Sequence, residues 1–182
     1  NMMGLHNLEN VIAASALAFN AGATLETIKT RLGSFSGIYR RFQIHTNTST
    51  SVYIDDYAHH PTELKKTIEA VRTHFPGRHL TVIFQPHLYS RTQDQQEGFR
   101  VELNQADRLI LLPIYAAREN QIDGFNTQSL FEKISHPHAE TSTKNSIFDN
   151  LKGHPVDVLL TVGAGDIDLL VPSLKKWSLK YA

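Results

Sequence analysis

The hydrophobic positions divide the chain into two parts with different periodicity. Residues 7–21 are rich in Ala, Leu, Val and Ile and predict a buried helix. Thr24 is a good N-cap for a second helix, and Gly33 is expected to end that helix. Residues 34–37 are small and polar apart from one Phe, and they predict a linker.

After the linker, short apolar runs alternate with helical patterns. Residues 41–46 and 51–55 alternate like strands on either side of turn-forming residues, so they predict a β-hairpin. Uniformly apolar strands separated by helices predict a parallel sheet covered on both faces. The expected fold is therefore α/β, with a doubly wound, mostly parallel sheet preceded by an N-terminal helical segment. Further strands are predicted at residues 79–85, 108–112 and 156–162, and helices at 61–74, 93–104, 127–134, 146–151 and 166–178.

Composition narrows the class of protein. The 182 residues carry 18 basic and 18 acidic side chains, and this balance argues against a nucleic-acid-binding surface. No apolar run approaches the roughly 20 residues that a membrane-spanning helix needs. The chain has no cysteine, which excludes disulfides, zinc–thiolate sites and a cysteine nucleophile, and is typical of a cytoplasmic protein.

Polar residues and glycines follow the predicted strands at the points where they end. In open α/β sheets, ligands bind beyond the carboxyl ends of the strands. Residues 55–56, 85–87, 113–115 and 163–165 occupy these positions here. Their concentration predicts an active face, although polar loops also begin at strand ends in sheets without a site.

The densest cluster is DDYAHHPTE at residues 55–63, between a strand and a helix. Its carboxylates are suited to ribose hydroxyls or a magnesium-bound water, and its imidazoles to an anion or a proton. A capped loop with a solvated histidine pair is the plainer alternative. Zinc bound by His59, His60 and His87 is a third, but adjacent histidines rarely face one metal, so we predict no protein metal site.

Four other features are each ambiguous alone. Arg91 follows a strand end and could hold a phosphate or carboxylate with its fork of donors, yet a lone arginine is more often a surface residue. The GAG at residues 163–165 could let a helix N-terminus approach an anion, but a tight turn explains it equally well. Asn7 is a suitable helix cap, and the pair Arg40 and Arg41 is typical of an exposed edge strand.

Taken together and in order, these strings resemble the Mur ligase family. The resemblance runs from residue 6 to residue 167, and the two longest strings are its most specific part. It implies that residues 1–36 are the helical tail of a central ATP-binding domain, and that residues 37–182 are a C-terminal, Rossmann-like domain that binds an amino acid. The matching strings are HNLEN at 6–10, YRRF at 39–42, DDYAHHPTE at 55–63, FQPHLYSRT at 84–92, IYAARE at 114–119 and VGAGDI at 162–167.

The resemblance also implies roles for the nucleotide site. Asn7 would contact the adenine of ATP, with Asn10 supporting that contact. Arg41 would lie near the ribose and phosphates, and Asp56 would hold the ribose hydroxyls. Tyr57 would lie at the junction between the nucleotide and the amino acid.

For the amino-acid site, the resemblance implies His59 and Arg91 as catalytic residues that also bind substrate. His87 and the turn formed by Gly163, Ala164, Gly165 and Asp166 would face the amino acid or an acyl phosphate. Many members of the family have arginine where this chain has Leu88. Whether Arg91 takes over that arginine's contact, or Leu88 lines a pocket for a methyl group, is left open by the residues.

The activity implied is ATP-dependent amide formation between L-alanine and UDP-N-acetylmuramate through an acyl phosphate, in bacterial peptidoglycan precursor synthesis. ATP and Mg²⁺ would be bound mainly by the remainder of the chain, because the family's GxxGK[ST] phosphate loop is absent from these 182 residues. We therefore expect them to be inactive alone, and residues 34–37 to act as a hinge. The alternatives are a recycling ligase that adds a tripeptide to the same nucleotide sugar, a folylpolyglutamate synthase-like enzyme, which fits less well, and a non-catalytic nucleotide-binding module.

Overall fold

The structure, a computed structural model, describes residues 5–154 and 156–180. Two helices precede an α/β unit, as the periodicity predicts, and that unit is built on a sheet of six strands where five were predicted. The helices are α1 (Leu5–Asn20), α2 (Leu25–Ser34), α3 (Pro61–His74), α4 (Tyr89–Asp94), α5 (Gln96–Leu103), α6 (Thr127–Ile134), α7 (Ile147–Leu151) and α8 (Val171–Lys180). The strands are β1 (Gln43–Asn47), β2 (Val52–Asp56), β3 (Leu80–Phe84), β4 (Arg108–Leu111), β5 (Ala139–Thr141) and β6 (Val158–Val162).

The sheet has the strand order β1-β2-β6-β3-β4-β5. Only β1 is antiparallel: it forms the predicted hairpin with β2, and every other neighbouring pair is parallel. The last strand in the chain, β6, lies between β2 and β3. The loops that follow these three strands therefore emerge side by side at one edge of the sheet.

Helices cover both faces of the sheet, which confirms the predicted class. Alternate residues of each strand point to opposite faces, so Ile54 and Val82 lie in one core while Tyr53 and Ile83 lie in the other. The first core is closed by α3, α5 and α6, and the second by α7, α8 and a 3₁₀ turn at Asp166–Leu170. The strands are buried on both sides and hold the loops at the sheet edge in fixed positions.

The N-terminal helices differ from expectation in their burial. The first helix was predicted to be buried, but Ile12 is 61% exposed and Leu17 is 71% exposed. This prediction is wrong for the described chain because α1 packs chiefly against α2 rather than on the sheet. The division into domains between residues 36 and 37 stays a prediction. Residues 1–4 of the first predicted domain lie outside the described residues.

Several boundaries also differ. Thr24 caps α2, with its Oγ1 accepting from the Thr27 amide, but the helix continues through Gly33 to Ser34. The helix predicted at 93–104 is two helices, separated at Gln95. The edge strand β5 was missed because its three residues, Ala-Glu-Thr, carry no apolar alternation.

Candidate functional site

The candidate site lies at the carboxyl edge of the sheet, where the three central strands end together. Asp56 pairs in register with Val162, and Val162 pairs with Phe84, so the ends of β2, β6 and β3 are adjacent. A further bridge between His87 and Tyr115 continues this edge beyond the strands and brings in the loop after β4. The predicted strand-end residues of all four loops are therefore brought together.

Asp56 is held by the backbone around it. One carboxylate oxygen accepts a hydrogen bond from the Phe42 amide at 2.6 Å, and the other accepts from the Ala58 amide at 2.7 Å. Burial raises the pKa of Asp56 to about 6, although the two amides act to lower it. Because both oxygens are engaged with the backbone, the contact between Asp56 and a ribose stays a prediction.

Arg40 has a role that the sequence reading missed. The pair Arg40 and Arg41 was expected to be exposed, but Arg40 is buried with a backbone φ of 56°. Its Nε donates to the carboxylate of Asp55 at 3.0 Å, and its Nη2 donates to the Gly163 carbonyl at 2.6 Å. Arg41 is nearly half exposed, and its Nη1 lies 3.9 Å from a Glu63 oxygen. The expectation therefore holds for the second arginine and is wrong for the first.

Four rings form a continuous row across the edge, here called the aromatic row: Tyr57, His59, His87 and Tyr115. Successive ring centroids are 5.3, 5.9 and 5.7 Å apart. Arg91 Nη1 lies 3.4 Å from Nδ1 of His87. Burial lowers the pKa of His87, and the positive charge of Arg91 nearby acts in the same direction, so this imidazole stays neutral where an ordinary histidine would begin to protonate.

The surroundings of His59 determine which ring nitrogen carries its proton. Nδ1 lies 3.0 Å from the Tyr57 carbonyl oxygen and 3.2 Å from Oε2 of Glu63, and both are acceptors. We assign the proton of neutral His59 to Nδ1 on this basis, which makes Nε2 an acceptor. The same Glu63 oxygen accepts from the His59 amide at 2.9 Å and fixes the residue at the start of α3.

The glycine turn, residues 163–166, packs against Gln85 at the end of β3. A Cβ on Gly163 would lie 2.6 Å from the Gln85 carbonyl oxygen, and one on Gly165 would lie 2.6 Å from Cγ of Tyr115. The Gln85 side chain donates to Asp166 at 2.8 Å and accepts from the Ile167 amide at 2.9 Å. The two glycines are therefore needed for close packing of the loops. The sequence suggested a tight turn but did not show which residues pack against it.

Asp166 also pairs with Lys144, a residue that sequence reasoning missed. Burial acts to raise the pKa of Asp166, but hydrogen bonds from Lys144 and Gln85 outweigh it and lower the pKa. Next to this pair is a cleft of about 300 Å³. It is lined by Gln85, Pro113, Ile114, Tyr115, Ala116, Thr143, Lys144, Asn145 and Asp166.

Leu88 has a backbone conformation that is unusual for its type. Its φ is 68°, and its amide donates to the Tyr115 carbonyl at 2.9 Å at the start of α4. The next turn is tied down by Glu119, which accepts from the amide and hydroxyl of Ser90 at 3.0 and 2.5 Å. The loop that carries His87 and Arg91 is therefore anchored from both sides.

The remaining predicted residues lie on α1. Asn7 is buried and Asn10 is exposed, and their spacing of three puts them on one side of the helix. Their contact with adenine stays a prediction. Among residues 5–154 and 156–180, no three His, Asp or Glu side chains are arranged to hold a metal ion, and no helix could cross a membrane.

Comparison with known proteins gives a consistent picture. The chain is 42% identical to the UDP-N-acetylmuramate–L-alanine ligase of Flavobacterium johnsoniae, over 95% of this chain and 38% of that protein. It is 43% identical to the enzyme of the same name from Porphyromonas gingivalis, over 94% of this chain and 38% of that one. The chain thus spans less than half the length of these relatives.

Solved structures agree in fold. The crystal structure of the UDP-N-acetylmuramate–alanine ligase MurC from Thermotoga maritima superposes with a TM-score of 0.75 at 26% identity, covering 97% of this chain and 39% of that one. A murein peptide ligase from Psychrobacter arcticus superposes with a TM-score of 0.65 at 22% identity, again over 97% of this chain and 37% of that chain, which supports the fold alone. A family model described as "Mur ligase, glutamate ligase domain" matches residues 40–173, and the chain therefore belongs to the Mur ligase family.

Proposed function

We propose that this chain is the C-terminal part of an ATP-dependent ligase that joins L-alanine to UDP-N-acetylmuramate. The observation that carries the proposal is the identity of 42–43%, over nearly all of this chain, to proteins named for that reaction. Mur ligases depend on ATP, which here is a substrate. Such a reaction would take place in the bacterial cytoplasm.

The carboxyl edge offers the groups that a zwitterionic amino acid needs. Arg91 is half-buried beside the imidazole of His87 rather than a carboxylate, so its charge is not offset by an acidic partner there and it can pair with the carboxylate of L-alanine. The lowered pKa of His87 leaves Arg91 as the positive charge of this pair. The glycine turn lies next to Gln85 and Tyr115, and we assign it the wall of the amino-acid site.

His59 is our candidate for moving a proton. L-Alanine must lose a proton from its ammonium group before the amine can attack. With Nδ1 occupied by the Tyr57 carbonyl and Glu63, Nε2 of His59 is an acceptor for that proton. Glu63 then stabilises the imidazolium that forms.

The chemistry proceeds in two steps. The lactyl carboxylate of UDP-N-acetylmuramate attacks the γ-phosphorus of ATP, forming an acyl phosphate and releasing ADP. The neutral amine of L-alanine attacks the acyl carbon, and the tetrahedral intermediate collapses to the amide and expels phosphate. The two steps require that the substrates be positioned against each other and that water be excluded from the acyl phosphate.

For the nucleotide, we assign the adenine to Asn7 and Asn10 and the ribose and phosphates to Arg41 and Asp56. The guanidinium of Arg41 is nearly half exposed, as a phosphate ligand requires. Each oxygen of Asp56 accepts one backbone hydrogen bond and keeps a second lone pair that a ribose hydroxyl could use. Mg²⁺ offsets phosphate charge in such reactions, and because the described side chains form no metal-binding group, we assign it to the remainder of the chain together with the phosphate loop.

The test is phosphate release by the full-length protein given UDP-N-acetylmuramate and Mg-ATP. Release on addition of L-alanine, and not of the tripeptide that a recycling ligase would use, is the expected result. Release with the tripeptide alone would mean that the tripeptide, and not L-alanine, is the substrate, and that the same two-step mechanism applies. No release with either would contradict the proposal and favour a nucleotide-binding module, which calorimetry with ATP would then detect.

A further inference from the structure

The buried guanidinium of Arg40 joins three segments that are far apart in the chain. Nε donates to Asp55 at the end of β2, while Nη2 and Nη1 donate to the carbonyls of Gly163 and Gly165, at 2.6 and 3.4 Å. Its Cζ also lies 5.3 Å from the centre of the Tyr57 ring. One side chain therefore contacts both carbonyls of the glycine turn and the first ring of the aromatic row.

Arginine has a geometric reason to occupy this position. A buried charge is costly unless it is paired and hydrogen-bonded, and here the planar fork meets a carboxylate and two carbonyls in different directions. Asp55 is also fully buried and accepts from the Thr161 hydroxyl at 2.6 Å. A lysine would keep the charge but could not reproduce the directions of the three N–H donors.

The glycine turn has few other hydrogen bonds to its backbone. The Gly163 amide donates to the Asp56 carbonyl at 3.3 Å, and the remaining links are made at its far end, by the Gln85 side chain with Asp166 and Ile167 and by the ion pair of Asp166 with Lys144. Glycines restrict the backbone less than any other residue, so a turn containing two of them needs external hydrogen bonds to hold one conformation.

Tyr57 is fixed in the same way. Its amide donates to the Arg40 carbonyl at 2.7 Å, and its ring has the guanidinium of Arg41 at 5.4 Å as well as that of Arg40. The side chain of Arg41 is nearly half exposed to solvent, whereas that of Arg40 is buried. The two neighbouring arginines thus have different tasks, one in contact with solvent and the other with the interior of the site.

We propose that Arg40 is a positioning residue of the ligase site, whose fork holds the glycine turn and Tyr57 in the arrangement that receives the amino acid. This inference rests on the proposed function. Arg40 itself lies behind these groups and is assigned no contact with substrate. Its replacement is expected to disturb the amino-acid site more than the nucleotide site.

The experiment compares Arg40→Lys with Arg108→Lys in the full-length protein. Arg108 is a matched control: it is equally buried, pairs with Glu140 and donates to the Asn150 carbonyl, but lies at the opposite edge of the sheet. We expect Arg40→Lys to raise the KM for L-alanine about tenfold, with the KM for ATP within about twofold of wild type. Arg108→Lys should leave both KM values within about twofold.

Hydrogen–deuterium exchange of the same proteins gives a readout that needs no activity. We expect faster exchange in the peptide containing residues 163–167 of Arg40→Lys, but not of Arg108→Lys. This result would support the inference even if the wild type released no phosphate with L-alanine. Absence of phosphate release would contradict only the proposed function. Equal behaviour of the two variants in kinetics and exchange would overturn the inference that Arg40 positions the site. If Arg40→Lys fails to fold, Asp55→Asn takes its place, with a smaller change in the same direction expected and an unchanged turn contradicting the proposal.

Discussion

The two edges of the sheet differ in whether their charged side chains are paired with each other. The larger cleft, about 920 Å³, lies at the amino edge and is lined by residues that precede the strands, such as His79, Asp107 and Asp157. The smaller cleft, about 300 Å³, lies at the carboxyl edge beside the glycine turn. Cavity size would point to the amino edge, whereas the chemistry of the residues points to the carboxyl edge.

At the amino edge, acids and arginines neutralise each other and the backbone. Asp107 pairs with Arg72 at 3.0 Å and accepts from the Leu80 amide at 2.7 Å. Asp157 pairs with Arg78 and accepts from the His79 amide at 3.1 Å. These groups tie the starts of neighbouring strands together, and they have little charge left to offer a ligand.

At the carboxyl edge, charge is left available to a ligand. Arg91 lies against a neutral imidazole, and the Nε2 atom of His59 is an acceptor when the ring is neutral. The comparison teaches that a site is marked by polar groups that can still bind a ligand, whereas a large cleft can be lined mainly by ion pairs that stabilise the fold.

The largest effect that would sharpen this comparison comes from the glycine turn. Gly163→Ala would bring a Cβ within 2.6 Å of the Gln85 carbonyl oxygen at a φ of 149°, so we expect a loss of about 3 kcal/mol or more in stability. Opening free energies from hydrogen exchange of the β3 amides would measure it. Gly33→Ala is the control, because nothing lies within 4 Å of its Cβ and a helical alanine should add up to about 1 kcal/mol. Equal effects of the two changes would contradict the packing account.

A pair of substitutions separates the roles of the two edges. Arg91→Ala should lower kcat/KM for L-alanine about 100-fold, or about 2.7 kcal/mol, with little change in stability. Asp157→Ala should cost about 1–2 kcal/mol of stability by releasing Arg78 and the His79 amide, while kcat/KM stays within about twofold. Steady-state kinetics and hydrogen exchange on both proteins would test this. A loss of activity in Asp157→Ala at full stability would place function at the amino edge and break the comparison.

The smallest expected effect concerns the pH dependence of Asp56. Burial raises its pKa from 3.8 to about 6 against the opposing effect of the Phe42 and Ala58 amides, so the protonated form favours the folded state. This contribution is complete below the unfolded pKa and is lost as the pH rises through the folded pKa, a window of about pH 4 to 6. We expect the loss to be about 1.5 kcal/mol between about pH 4.5 and 6.

Asp56→Asn cannot ionise and should lack this part of the pH dependence. Hydrogen exchange of the β2 amides in both proteins across the window gives the difference in slope. Parallel slopes would contradict the raised pKa of Asp56 and would mean that the two amide hydrogen bonds offset the effect of burial.

Elements with strong local signals were predictable. Pro61 at the first position of α3 and the cap at Thr24 carry their structural meaning within a few residues, so both helix starts were confirmed. The strand-end loops were also predictable, because each follows an apolar run that can only be a buried strand. The short strand β5 lacked such a signal, since its partners are supplied by β4.

The roles of individual charges were not predictable in the same way. Arg40 and Arg41 are identical neighbours in the chain, but one meets acceptors more than 120 residues away and the other meets solvent. The same holds for Lys144, whose partner Asp166 follows a different strand. No local pattern separates these cases, because the partners are brought close only by the strand order.

The sequence by itself determined the order of the strands and helices except for the short strand β5 and the break at Gln95, together with the family resemblance and the set of loops that carry the candidate chemistry. Periodicity, helix caps and turn residues are local signals, because each depends on residues that are only a few positions apart in the chain. Only the tertiary structure decided that β6 lies between β2 and β3, that Arg40 is buried and Arg41 is not, and that ion pairs line the larger cleft. The physical reason is that burial and long-range pairing set the energy of a charge, and both depend on segments that meet only in the folded chain.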